Sequence, residues 1–366
     1  MISTASTAST ASTASTASTA GRQRATLAAV ASAAGVSVST ASLAFSGSGP
    51  VATATRDRVL AAAATLGYSG PDPRARSLRQ GRSGVVGVVV ENTVLAAFRD
   101  PVNVGMVDGV AEVLGEAGAG VLLLTDSPHA RAAFDKAAMD GVVLTGCSPV
   151  VGELLESLRR RHIPTVLIGG RPHRGTPAVD VDNTAASTAL ARHLRDLGHR
   201  NVPIITLPFD GDRTQTVSQS LVDASASDTA VDRLRGHRSV FPRAFAIAAS
   251  GSTVDEGERL GRLLLTADSR PTAIVAQSDL LAVGVIRAAE SLGLAVPANL
   301  SVVGFDGIEL ATIGDHVLTT MRHPMQDKGG AAARAVLRLI DGSRVRSTEF
   351  NCEFVPGTTA AVASPH

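Results

Sequence analysis

Between residues 26 and 47, apolar side chains recur at the three- and four-residue spacing of an α-helix, twice in succession. Thr26 and Ser37 are residue types that cap helix N-termini, and Gly35 between them can adopt the left-handed conformation that ends a helix. The inward positions of the two segments are Leu27, Val30, Ala31 and Ala34, then Ala41, Ala44 and Phe45. The pattern predicts two short helices joined by a tight turn.

The second helix also has an outward stripe, which is formed by Val38, Ser39, Ser42 and Leu43. A helix-turn-helix places such a stripe in the major groove of DNA. An alanine-rich helical hairpin would give the same pattern, so this window alone leaves both interpretations open.

A third helical segment follows at residues 53–66 and ends at Gly67, which supplies the third helix that a helix-turn-helix needs to bury its apolar face. Residues 1–83 contain eight Arg and two Asp, with neither Lys nor Glu, and so carry a net charge of +6. The whole chain carries +1, which leaves −5 for the remainder. Positive charge concentrated beside a helix-turn-helix indicates binding to phosphate.

From residue 84 onward, short aliphatic or β-branched runs alternate with helical segments. Runs suited to buried parallel strands lie at 85–90, 121–124, 142–145, 165–168, 179–181, 202–207, 244–248, 273–276 and 301–303. Helical segments lie near 107–117, 130–138, 153–162, 185–197, 256–266 and 280–292. Two such series in tandem predict two sheets with right-handed crossovers and a cleft at the carboxyl ends of the strands.

The N-terminal segment is of a different kind, because residues 3–20 are six repeats of Ser-Thr-Ala. Such a segment cannot bury enough surface to offset its ordering entropy, and we expect it to be disordered. It has neither the basic start nor the apolar core of a secretory signal.

Composition argues against several other classes of protein. The chain has 366 residues, enough for two or three domains, and no apolar run reaches the roughly 20 residues of a membrane span. Cys147 and Cys352 give neither a disulfide framework nor metal-ligand spacing, which suits a reducing, cytoplasmic compartment. The nine His are scattered singly, and the sequence contains no nucleophile-elbow, phosphate-loop or zinc-protease motif. We therefore expect no enzyme activity, catalytic residue, cofactor or metal ion.

Several motifs, in order along the chain, resemble the lactose-repressor (LacI/GalR) family. They lie at residues 26–47, 55–59, 66–68, 73–78, 83–87, 278–284, 296–297 and 301–306. The resemblance extends over nearly everything from residue 24 onward, and several ordered motifs are more specific than any one. It implies an α/β protein with an N-terminal all-α helix-turn-helix head and a two-lobed periplasmic-binding-protein-like domain with two parallel sheets.

The resemblance divides the chain into a Ser-Thr-Ala tail (1–21), a helix-turn-helix DNA-binding domain (22–68), a hinge (69–83) and a two-lobed effector-binding and dimerisation domain (84–366). It implies a sequence-specific transcriptional regulator, a repressor, that binds a double-stranded palindromic operator as a homodimer. A small polar effector, such as a sugar or nucleoside, would control it from between the lobes. The alternative is a solute-binding protein of a transport system, which shares the two-lobed fold. That class needs a secretion signal and lacks a DNA-binding head, and this sequence shows the reverse.

The resemblance also implies particular DNA contacts. Leu43 takes a position where the family often has a polar residue, so it can contact a thymine methyl group but cannot hydrogen-bond a guanine edge. Leu78 takes the position of a leucine that the family inserts into the minor groove at the operator centre. One extra residue between Tyr68 and the Ala75-Arg76 pair departs from the family pattern. The predicted DNA-binding residues are Thr26, Ser37, Val38, Ser39, Thr40, Ser42, Leu43, Arg56, Arg76 and Leu78.

Candidate effector contacts lie where strands end. In the family, an acid matching Asp279 hydrogen-bonds the effector, although an ordinary helix cap, formed by Ser278 or Asp279, is the alternative. Arg233 matches the family's Arg-x-x-Gly; Arg235 is a rival, and a surface salt bridge is the alternative for both. Asp306 matches a Phe-Asp-Asp loop in which Gly307 replaces the second acid. Further candidates after first-lobe strands are Phe98, Asp100, Asp126 and Arg171. The family pattern also places crossings between the lobes near 306–314 and 321–324.

Overall fold

The structure, a computed structural model, describes residues 25–47, 49–70, 81–91, 93–145, 150–209, 211, 213–309 and 314–364. It divides into two compact units on either side of the Gly81–Arg82 bond. Among the described residues, no single helix is long and apolar enough to span a membrane. Of the described helices, one bent pair, Leu27–Ala33 and Val38–Ser46, has the required length and composition when the two are taken together.

The described part of the first unit consists of three helices, α1 (Leu27–Ala33), α2 (Val38–Ser46) and α3 (Thr53–Leu66). Thr26 and Ser37 cap α1 and α2, since each hydroxyl accepts a hydrogen bond from the backbone N–H three residues further on, at 3.2 and 3.1 Å. Gly47 ends α2 in the left-handed conformation. The chain bends by 103° between α1 and α2, and this gives the predicted pair of helices joined by a turn.

Small side chains fill the core of this first unit. The buried residues are Val30, Ala31, Ala41, Ala44, Val59 and Ala63. Four of these six are alanines, which bury little apolar area each. Phe45 packs edge-to-face against Tyr68 with ring centroids 5.4 Å apart, and this larger pair closes one side of the alanine core.

The first lobe of the second unit is built on a six-stranded parallel sheet. Its strands are β1 (Val85–Val90), β2 (Gly120–Thr125), β3 (Gly141–Thr145), β4 (Thr165–Ile168), β5 (Ala178–Val181) and, from far along the chain, β12 (Thr348–Phe350). They pair in the order β12-β5-β4-β3-β1-β2. Its described helices are α4 (Val94–Ala97), α5 (Pro101–Glu116), α6 (Arg131–Lys136), α7 (Val151–Arg160) and α13 (Met325–Ile340). The central strands β3 and β4 are buried throughout, as their continuous apolar runs predict.

The second lobe has a five-stranded sheet. Its strands are β6 (Ile204–Thr206), β7 (Gln215–Thr216), β8 (Ala246–Ala248), β9 (Ala273–Ala276) and β10 (Ser301–Val303). Their order is β10-β9-β6-β8-β7, and all pairs are parallel except β7 with β8. The described helices of this lobe are α8 (Asn183–Asp196), α9 (Gln219–Ala224), α10 (Asp228–Val240), α11 (Val254–Leu265) and α12 (Asp279–Ser291). An antiparallel ribbon of β11 (Thr320–Arg322) and β13 (Glu353–Val355) lies beside it.

The described chain passes between the lobes at three places. It leaves the first lobe between β5 and α8, returns between β11 and α13, and leaves again between β12 and β13. The second passage, at residues 323–324, agrees with the crossing predicted near 321–324. Residues 306–309, by contrast, stay beside β11, where Asp306 bridges to Arg322. The rest of the other predicted crossing, residues 310–313, lies outside the described residues.

All nine predicted strands and all six predicted helices of the α/β region are present, with ends shifted by a few residues. An all-α head followed by two lobes with largely parallel sheets confirms the predicted fold class. The elements that the sequence did not predict are α4, α9, α10, α13, β7, β11, β12 and β13.

Candidate functional site

The outward face of α2 carries the side chains that were predicted to contact DNA. Val38 is 50 % and Leu43 38 % exposed, and Ser39 is exposed beside them. Ser42 is half-buried, whereas Ala41 and Ala44 are buried in the core of the unit. The two stripes of α2 therefore face in different directions, as their spacing indicates.

Polar groups gather at the start of α2 and of α3. The Ser37 hydroxyl lies 2.8 Å from the hydroxyls of both Ser39 and Thr40. Arg56, in the first turns of α3, is half-buried, and its Nε is buried without a hydrogen-bond partner among the described residues. Arg76 and Leu78, the other two predicted contacts, lie outside the described residues.

Arg233, on α10, is the centre of a buried polar cluster in the second lobe. Its Nε donates to Asn183 Oδ1 at 2.9 Å, and its Nη1 donates to Asp306 Oδ1 at 3.2 Å and to the carbonyl oxygen of Gln277. The guanidinium carbon lies 3.6 Å from the centroid of the Phe305 ring, a stacked cation–π contact. These partners come from the start of α8 and from the carboxyl ends of β9 and β10, where the edge of a parallel sheet forms a ligand-binding cleft.

The two candidate arginines, Arg233 and Arg235, differ in burial. Arg233 has only 5 % of its side chain exposed, whereas Arg235 has 57 % exposed and pairs with Asp232 on its own helix. Arg235 therefore forms the surface salt bridge, and Arg233 points into the protein.

Asp306 has an unusual backbone conformation beside Arg233. Its φ angle is +121°, in the region that favours glycine. His323 Nε2 lies 3.6 Å from its carboxylate, and His323 Nδ1 is buried with no hydrogen-bond partner among the described residues. Burial lowers the pKa of His323, although Asp306 partly opposes that change, so the imidazole is neutral near pH 7.

Asp279 opens α12, but Ser278 is the residue that caps the helix, since its hydroxyl accepts from Leu281 N at 3.2 Å. The carboxylate of Asp279 instead accepts from the Thr320 hydroxyl at 2.6 Å and from the backbone N–H groups of Gly307 and Ile308 at 2.7 and 2.9 Å. Of the two residues that could cap this helix, Ser278 is therefore the cap, and both oxygens of Asp279 accept hydrogen bonds from elsewhere in the protein.

Asp100 is the first-lobe carboxylate of this region. It caps α5 by accepting from Val102 N at 2.9 Å, and it also accepts from Asn103 Nδ2 at 2.9 Å. Burial and then the negative charge of Asp306 raise the pKa of Asp100 to about 6. Asp100 of the first lobe and Asp306 of the second are thus electrostatically coupled.

The remaining three predicted effector residues belong to the first lobe. Arg171, in the loop after β4, donates from its backbone N–H to Asp228 at 2.9 Å, and its guanidinium lies 3.4 and 3.3 Å from Asp228 and Asp232 of α10. It therefore bridges the lobes at the surface. Phe98 is 62 % exposed and lines a small recess within the first lobe. Asp126 is half-buried just after β2.

Sequence reasoning missed several members of the cluster. Asn183, Gln277 and His323 are 4 %, 1 % and 3 % exposed, and Lys328 of α13 is also buried and pairs with Asp180 at 3.4 Å. A polar residue directly before or after a buried strand was the available signal for Gln277 and Asn183. Among the described residues, no group of His, Cys, Asp or Glu could hold a metal ion.

A three-helix unit whose second helix has an outward stripe, together with a two-lobed unit that has a polar cleft, is the architecture of a ligand-responsive DNA-binding protein. Family models agree: that of "Bacterial regulatory proteins, lacI family" matches residues 26–70, and that of "Periplasmic binding protein-like domain" matches residues 191–359. The chain is 32% identical to the HTH-type transcriptional regulator IpsA of Corynebacterium glutamicum, over 93% of this chain and 98% of that protein. The chain belongs to the LacI family.

Two solved structures share the fold. The CelR transcriptional regulator in complex with cellobiose is 26% identical, with a TM-score of 0.65 over 92% of this chain and all of that one. The lac repressor dimer bound to operator and an anti-inducer is 22% identical, with a TM-score of 0.75 over 93% of this chain and all of that one. Its membership of a family of transcriptional regulators, and not of enzymes, makes the protein a DNA-binding transcriptional regulator with an effector-binding domain, as the sequence predicts.

Proposed function

We propose that this regulator is a homodimeric repressor of the cell's cytoplasm that binds a two-fold symmetric operator, and that a small neutral polyhydroxylated ligand controls it. The observation that carries the proposal is the buried Arg233–Asp306 ion pair at the carboxyl ends of β9 and β10. It presents fixed donors and acceptors where the lobes meet, and Asp100 adds an acceptor from the first lobe.

The charges of the cleft favour a neutral ligand. Arg233 is balanced by Asp306, and Lys328 is balanced by Asp180. An anionic ligand would therefore meet no unbalanced positive charge, whereas a hydroxyl group both donates and accepts. The Asp100 carboxylate and the Arg233 guanidinium match these two functions. The cellobiose complex of CelR supports a sugar, and a nucleoside presents similar hydroxyl groups.

The side chains on the outward face of α2 suit direct readout of base edges with few charged contacts. Val38 and Leu43 can contact thymine methyl groups, while Ser39 and Ser42 can hydrogen-bond base edges. Thr26, Ser37, Thr40, Arg56 and Arg76 would contact phosphate groups, which position the head without reading sequence. Leu78 would enter the minor groove at the operator centre.

An exposed apolar surface supports the homodimer. Val94, Leu95 and Val121 are 40 %, 61 % and 41 % exposed on α4 and β2, at the free edge of the first-lobe sheet. A second copy of the chain would cover this surface, and two-fold symmetry would place two heads on two operator half-sites.

Thermal melting with neutral mono- and disaccharides and with nucleosides tests the ligand. We expect a compound of this set to raise the melting temperature and to bind, by calorimetry, at least about tenfold more weakly to Arg233→Lys, since lysine keeps the charge but loses the fork of donors. Arg235→Lys, two residues away and exposed, is the matched control and should bind as the wild type does. The ligand should also change affinity for DNA selected from a random library. No melting shift with any compound, or equal affinity of both variants, would contradict the proposal.

A further inference from the structure

The carboxylate of Asp279 is closed off from the cleft by the loop that follows β10. The residue is 0 % exposed, and its three donors come from Gly307, Ile308 and Thr320. Three hydrogen bonds of 2.6 to 2.9 Å fix this carboxyl group in position. A ligand could reach either oxygen only after this loop had moved away.

The loop is shaped around that carboxylate. A Cβ atom on Gly304 would lie 2.2 Å from Asp279 Oδ1, so only glycine permits the close approach. Two residues further along the loop have positive φ angles, +121° for Asp306 and +73° for Gly307. A non-glycine residue at such an angle costs about 1–3 kcal/mol and persists only where its surroundings hold it. The hydrogen bonds of Asp279 to the two following N–H groups supply such a restraint.

The held segment carries the functional groups of the cleft. Asp306, directly before Gly307, pairs with Arg233, and its backbone N–H donates to Met321 O at 2.8 Å. Thr320 begins β11, the strand that leads into the passage to α13 of the first lobe. Asp279 thus ties together the loop that presents Asp306 and the strand that enters an inter-lobe passage.

We propose that Asp279 is a positioning residue, which anchors residues 304–308 to β11 so that Asp306 meets Arg233, and which acts on the effector through this loop rather than by contact. Its effect on the effector rests on the proposed function. The anchoring itself does not, because it can be measured on the protein without any ligand.

Four variants separate anchoring from direct contact. Thr320→Val removes one donor and leaves Asp279 in place, and Thr320→Ser is its matched control. Asp279→Ala removes all three hydrogen bonds. Asp279→Asn keeps an oxygen for the two backbone N–H groups and an amide that can donate to the Thr320 hydroxyl. Burial, together with Asp306, raises the pKa of Asp279 to about 8, so the neutral amide also matches the protonated acid near pH 7.

Hydrogen exchange at the Gly307 and Ile308 amides, measured without ligand, is the decisive readout. We expect exchange to be about five- to tenfold faster in Thr320→Val and about a hundredfold faster in Asp279→Ala, with unchanged exchange in β3 of the first lobe as the folding control. Thr320→Ser and Asp279→Asn should stay within about threefold of the wild type. Wild-type exchange in Thr320→Val, or equally fast exchange in Asp279→Asn and Asp279→Ala, would overturn the anchor.

Calorimetry with the sugar or nucleoside that raises the melting temperature completes the test. Anchoring predicts that Asp279→Asn keeps most of its affinity, whereas Thr320→Val weakens it. The reverse result, with loss in Asp279→Asn and none in Thr320→Val, would show direct contact and reject the inference. If no compound binds, the proposed function is rejected, while the exchange experiment still decides whether Asp279 is the anchor.

Discussion

Replacing Arg233 with glutamine should leave a negative charge buried without its partner. The Asp306 side chain is 8 % exposed and its ion pair with Arg233 spans 3.2 Å. Removing one member of a buried pair costs about 3–5 kcal/mol, because the other charge keeps its desolvation penalty. The substitution also removes the guanidinium from the Phe305 ring, worth about 1 kcal/mol. We therefore expect Arg233→Gln to lower the free energy of unfolding by about 4 kcal/mol.

A double-mutant cycle isolates the ion pair from the rest of that loss. Asp306→Asn is the suitable second change, since asparagine tolerates a positive φ angle and keeps the shape of the side chain. It removes the orphaned charge, so the double variant should be more stable than the two single losses predict, by about 2 kcal/mol of coupling.

Urea unfolding followed by circular dichroism measures each corner of the cycle. A loss of about 4 kcal/mol corresponds to a midpoint lower by about 1 to 2 M urea. Arg235→Gln is the exposed control and should stay within about 0.5 kcal/mol of the wild type. The reasoning is refuted if Arg233→Gln loses less than about 1 kcal/mol, or if the double variant equals the sum of the single ones.

Two further predictions concern the head and the first lobe. Leu43→Ala should change the consensus selected from random DNA, whereas Arg56→Gln should weaken all sequences alike and lower the salt slope by about 1; an unchanged consensus would exclude Leu43 from base readout. The pKa of Asp100 is about 6 in the folded protein, against an ordinary value of 3.8. The folded state therefore binds the carboxyl proton more tightly than the unfolded state does, and the stability that this proton contributes is lost as pH rises from 4 through 6. Asp100→Asn should therefore raise the free energy of unfolding by about 1–2 kcal/mol at pH 7.5 and much less at pH 4, in urea titrations; an equal effect at both pH values would show that burial of the charge is not the cause.

The elements that the sequence did not predict depend on contacts far along the chain. β12 is a short, partly exposed strand whose parallel partner, β5, lies more than a hundred residues earlier. α13 contains Gly329 and Gly330, which weaken a local helix signal. A Cβ atom on Gly329 would lie 2.0 Å from the carbonyl oxygen of Met106, so glycine is needed where α13 packs closely on α5. Local periodicity cannot show that requirement.

The helix α10, which carries the polar site, was not predicted for a related reason. α10 has Arg233 and His237 at buried positions, and both would count as polar in a search for apolar periodicity. The resemblance nonetheless singled out Arg233, Asp306 and Asp279 as candidates, because each lies within a motif of the family. It could not show that Asp279 is engaged by backbone N–H groups, since those come from a loop whose path is fixed only in three dimensions.

Two electrostatic contacts between the lobes act in opposite directions. Arg171 of the first lobe attracts Asp228 and Asp232 of α10 at 3.4 and 3.3 Å, which favours approach of the lobes. The charge of Asp306 raises the pKa of Asp100, and the repulsion between these two carboxylates opposes approach of the lobes. A ligand shifts such an equilibrium only through different affinities for its two states. Hydroxyl donors placed between Asp100 and Asp306 would relieve the repulsion only when the lobes are close. An anion there would increase the repulsion, and this supports the proposal of a neutral polyhydroxylated ligand.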